Sequence, residues 1–105
     1  MITDAQVEAA NDFIRDNAGH LAEAKANRIY LEQFRKSKKA MLVSEVSGTV
    51  QEREAHAYAH KDYLELLHGL REAVEVEEKL RWQMTAAQTK IEIWRTQSAN
   101  ERKGV

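Results

Sequence analysis

Glu52, His56 and His60 have the side-chain types and the spacing of metal ligands. Steps of four along a helix bring all three to one side, and imidazole with carboxylate suits zinc. Several features stand against a native centre. A helix over 50–59 ends at His60, the chain has no cysteine to assist, and His20 and His68 lie far away in sequence. The expectation is no resident metal and no cofactor, with adventitious nickel or zinc binding as the most this triplet offers.

A second constellation is basic. Arg35, Lys36, Lys38 and Lys39 fall within five residues and have the charge to contact phosphates, with Lys25 and Arg28 as neighbours. Consecutive cations spread around a helix, so two or three of them share a face. The net charge of the chain is -1, which leaves any nucleic-acid binding to this local patch. Trp94-Arg95 with Arg102-Lys103 forms a weaker basic site, and Trp94 is expected in core packing. Nucleophilic catalysis has no foothold, because Ser44, Ser47 and Thr49 lack a histidine and carboxylate at suitable spacing. Gly48 stands alone, so there is no glycine-rich phosphate loop either. An enzyme is not expected.

The elements that would position these residues are helices. Charged residues make up 31% of the 105-residue chain, Pro is absent and Gly numbers four, a profile of long helices and coiled coils. From Lys61 to about Arg102 the apolar residues step by four and three: Tyr63, Leu66, Leu70, Ala73, then Leu80, Met84, Ala87, Ile91 and Trp94. This is a heptad seam on one helix that would run roughly 60 Å at 1.5 Å per residue. Glu77 takes one core-type step, and pairing with a facing cation, Arg35 or Lys38, would fix the register. A weaker stripe runs from Asp4 to about Val46: Val7, Ala10, Ile14, Leu21, Ala24, Leu31, Phe34, then Met41 or Leu42. Asn17, Arg28 and Lys38 lie on or beside it, and Gly19 favours a kink or fray near 17–20.

Thr3 reads as the first N-cap. Ser47-Gly48-Thr49 is the one clear break, with Gly48 suited to a left-handed conformation and Thr49 to Glu52 spaced as a capping box. Helices are therefore expected at about 4–46, 50–59 and 61–102, with 103–105 mobile. The fold class is all-α, one domain in which two long helices, joined by a turn and a short helix, pack as an antiparallel hairpin. Arg35, Lys36, Lys38 and Lys39 should come level with Glu65, Glu72, Glu75, Glu77 and Glu78 of the second long helix. Trp82, Ala86 and Ile93 lie about 180° from Met84 and Ile91, and this second apolar face points to a homodimer closing as a four-helix bundle. No run is long and apolar enough to span a membrane, and no signal segment is evident. The absence of cysteine favours the cytoplasm.

Two segments carry a resemblance. RIYLEQFRKSKKA (Arg28–Ala40) and QEREAHAYAHKDYLELLHGLREAVEVEEKLRWQMTAAQTKIEIWRTQSANER (Gln51–Arg102) resemble a family of short, largely uncharacterised helical proteins encoded by tailed phages and prophages. The similarity covers roughly two thirds of the chain. Its most specific words are EKLRW (Glu78–Trp82), AAQTKIEIWR (Ala86–Arg95) and NER (Asn100–Arg102). Members often carry Pro where this chain has Lys61, a difference that bears on the helix start. The resemblance implies a phage origin and expression in a bacterial host, near recombination and replication, and supplies no catalytic residues. Two functions follow as expectations. One is a non-enzymatic helical adaptor that self-associates and docks on a phage or host protein. The other is a nucleic-acid-binding accessory protein in phage recombination or replication that uses residues 35–39.

Overall fold

The computed structural model describes residues 1–104. Among these the chain forms three α-helices and no strand: α1 Asp4–Ser44, α2 Val50–Ala59 and α3 Lys61–Lys103. No helix is long and apolar enough to cross a membrane.

Local chemistry accounts for where the helices start. At α1 the Thr3 hydroxyl accepts from the Gln6 N–H at 3.2 Å, while the Gln6 side chain accepts from the Thr3 N–H at 2.8 Å. At α2 the Thr49 hydroxyl accepts from the Glu52 N–H at 3.1 Å and the Glu52 carboxylate accepts from the Thr49 N–H at 3.4 Å. Each reciprocal pair satisfies donors that a helix start leaves without an intrahelical acceptor. Thr49→Ala should therefore cost about 1 kcal/mol in a denaturant titration. Gly48 precedes this box at φ 130°, a conformation that L side chains rarely adopt and that favours glycine there.

The ends differ slightly from the sequence expectation. The α1 helix stops at Ser44 rather than at 46, because the Glu45 N–H turns back to the Leu42 carbonyl at 3.2 Å and tightens the last turn. It passes through Gly19 without a break, and the Asn17 side-chain amide donates back to the Phe13 carbonyl at 2.9 Å. The α3 helix reaches Lys103, and the Gly104 N–H donates to the Asn100 carbonyl at 2.9 Å. Val105, expected to be mobile, lies outside the described residues.

The chain's contacts fall into two compact units, Met1–Ala22 with Glu78–Val105, and Glu23–Glu77. In the first unit the start of α1 runs antiparallel to the end of α3. The Ile2 N–H donates to the Gln97 side chain at 3.2 Å and the Trp94 indole N–H donates to Asp4 at 2.9 Å. Val7, Ala10, Met84 and Ala87 are its buried residues. Trp94 is half-buried on the seam, and its indole N–H is satisfied by Asp4.

The second unit is a hairpin closed by the turn and α2. Leu42, Ala57 and Tyr63 form its buried cluster, with Val43 and Leu67 packed against them. The Tyr58 and Tyr63 rings meet edge to face at 5.5 Å, which seats α2 on the start of α3. Between Met41 and Leu42, the seam takes Leu42, with no exposed surface, and leaves Met41 47% exposed. The α1 seam continues back through Lys38, Arg35, Leu31 and Arg28, all half-buried. Phe34, placed on the stripe by the sequence, stands outside it at 37% exposure. Strict steps of four and three select Arg35 instead, whose apolar stem can line the seam while its charge reaches outward.

Candidate functional site

The basic stretch 35–39 lies on the last part of α1, where the helix both faces α3 and passes under α2. That position disperses its cations. Lys38 pairs with Asp62 at 3.4 Å. Lys39 pairs with Glu54 at 3.9 Å and sits over the Tyr58 ring, 4.6 Å from its centre. Tyr58, by hydrogen bonding first, raises the Lys39 pKa. Arg35 is half-buried, so Lys36 is the one cation of the four that is exposed. Instead of the expected glutamates further along α3, Lys38 and Lys39 meet Asp62 in the first turn of α3 and Glu54 of α2.

Glu77 is buried on the α3 seam at 8% exposure, as a core-type position requires. Its partner is Arg28, not Arg35 or Lys38. The Arg28 guanidinium donates from Nε to one Glu77 oxygen and from Nη2 to the other at 3.2 Å, a two-pronged contact. Its remaining arm donates to both Glu32 oxygens at 3.1 Å. These hydrogen bonds, Glu77's foremost, push the Arg28 pKa further up. The fork holds a charge that α1 would otherwise leave beside the seam, and it sets which turn of α1 faces which turn of α3 within this unit.

The far side of α3 in the first unit carries Trp82 at 63% exposure and Ile93 at 42%, with Ala86 exposed between them. Arg81 covers part of the Trp82 ring at 5.4 Å and pairs with Glu78 at 2.6 Å. Ala86 also lines a groove of about 360 Å³ with Ala9, Phe13 and Lys90, so small side chains connect the groove to the Trp82 face. The second unit has an apolar surface that the sequence reading missed. Tyr30, 63% exposed, stacks on Phe34 with ring centres 6.0 Å apart. The signal was the four-residue spacing of two aromatics one position off the seam.

At the turn end, Glu45, His56 and His60 place ligand atoms within 4.8 Å of one another. The carboxylate differs from the one the sequence spacing selects. Glu52 is occupied in the capping box, and Glu45, on the turn after α1, stands 3.8 Å from His56 Nε2 instead. The His56 and His60 rings meet at right angles, 5.6 Å apart. His60 ends α2 and caps α3: its N–H donates to the Ala57 carbonyl at 3.3 Å and its Nδ1 accepts from the Asp62 N–H at 3.0 Å.

No protein-family model, curated protein or solved structure matches the chain.

Proposed function

We propose that the chain is a phage-encoded, non-enzymatic interaction protein of the bacterial cytoplasm that self-associates and, as a pair, docks on a phage or host protein. The exposed Trp82–Ile93 face carries this reading. One side of α3 in the first unit packs against α1 through Met84 and Ala87, and the opposite side keeps a tryptophan and an isoleucine in water. Burying a side chain of this size is worth about 1.5–3 kcal/mol, so the same face meeting itself across a two-fold axis gains several. A net charge of -1 sets no electrostatic barrier to that encounter. Four helices, two from each copy, would then surround a second core. The engagement of Lys38 and Lys39 by carboxylates and Tyr58 favours this reading over phosphate binding by residues 35–39.

Light scattering tests it. The wild-type chain should have twice its 12.1 kDa mass at micromolar concentration and above. Trp82→Glu with Ile93→Lys should reduce that to a single copy. A wild-type mass of 12.1 kDa at high concentration would end the proposal. A double variant that stays paired would move the interface elsewhere.

A further inference from the structure

From the cluster at the turn we infer that Glu45, His56 and His60 bind one divalent zinc ion, which clips the end of α1 to the end of α2. The three ligand atoms already lie within 4.8 Å of one another. Two ligands of a tetrahedral zinc stand roughly 3.4 Å apart, as bond lengths of about 2.0–2.2 Å require. The 3.8 Å between Glu45 and His56 Nε2 is too long for a hydrogen bond and close to that ligand separation. His56 Nε2 is itself buried and has no hydrogen-bond partner. A buried ring nitrogen without a partner normally carries a cost, and a metal ion removes it. Three protein ligands leave the fourth position to water.

His60 gives the inference a distinct spectroscopic readout. Its Nδ1 accepts from the Asp62 N–H, so the neutral ring carries its proton on Nε2. If zinc takes Nδ1, the Asp62 N–H loses its acceptor directly. If zinc takes Nε2, the proton must move to Nδ1, which can then no longer accept. Either route frees the Asp62 N–H, and the second lets Nδ1–H donate to the Asp62 carboxylate, now 3.9 Å away. A carboxylate behind a metal-bound imidazole is a common way of fixing such a ring.

Calorimetric titration of the full chain with zinc chloride tests the site. The expected result is one ion per chain with a Kd of about 1 μM or tighter. His56→Ala and Glu45→Gln should each weaken binding at least about tenfold, with helicity by circular dichroism unchanged. Glu52→Gln, which keeps the capping box, and the double variant His20→Ala with His68→Ala should bind as the wild type does. In an amide spectrum, zinc should shift the Asp62 N–H and speed its hydrogen exchange. No saturable binding up to about 100 μM zinc, equal affinity in His56→Ala, loss of binding in Glu52→Gln, or an unmoved Asp62 amide would each overturn the inference.

Discussion

Leu42→Ala should lower the stability of the chain by about 2–5 kcal/mol, whereas Met41→Ala next to it should stay within about 0.5 kcal/mol. Leu42 has no exposed surface and sits where α1, α2 and α3 meet, touching the cluster of Ala57 and Tyr63. Removing its branched end leaves a void that three helices, tied by short connections, cannot all close at once. Met41 is 47% exposed one residue earlier, so truncating it removes little buried area. The comparison holds composition and position nearly constant and varies burial alone. Thermal melts at one fixed protein concentration give the readout: a fall of at least about 8 °C for Leu42→Ala and little change for Met41→Ala. Equal effects would mean that the seam does not enter the turn through Leu42.

The second large effect concerns the Arg28–Glu77 fork. Glu77→Leu alone should destabilise more than the double change Arg28→Leu with Glu77→Leu. Glu77 is buried, and its removal strands a guanidinium whose other partner, Glu32, reaches only one arm. Taking both charges away leaves a continuous apolar seam in their place, and such replacements are often neutral or stabilising. The expected order of denaturation midpoints is therefore Glu77→Leu lowest, with the double variant near the wild type or above it. A double variant as unstable as the single would show that the fork contributes net stability and not only alignment.

Much of the fold was legible because its determinants are local or periodic. Thr49 and Glu52 act across four residues, so the start of α2 could be read directly, and the bounds 50–59 match. The seam of α3 repeats often enough that a single carboxylate at Glu77 did not hide it. Where the reading failed, the deciding partner lay far away in sequence. Phe34 is the obvious apolar choice on α1, yet the seam holds Arg35, because the position relative to α3 outweighs side-chain polarity when a long stem can be buried. The spacing points to Arg35 or Lys38 as the partner of Glu77, and the partner is Arg28, since pairing register is a tertiary quantity. The His56–His60 pair was visible in its spacing. Its carboxylate was not, because Glu45 arrives from across the turn while the nearer Glu52 is already committed to a cap.

The cations on the α1 seam also govern which helix may lie beside it. Arg28, Arg35 and Lys38 occupy inward positions of the second unit, half-buried at three of the steps between Ala24 and Leu42. Two α1 helices set seam to seam would bring these positive charges toward one another in a poorly hydrated strip, where Glu32 already engages Arg28 and no buried seam carboxylate such as Glu77 answers Arg35 and Lys38. The α3 seam offers that carboxylate and otherwise apolar steps. An unpaired α1 segment, on a ribosome or after local opening, is therefore biased toward α3 and against its own kind. The polar interruptions that weaken the stripe thus disfavour pairing of the first helix with the same helix of a neighbour.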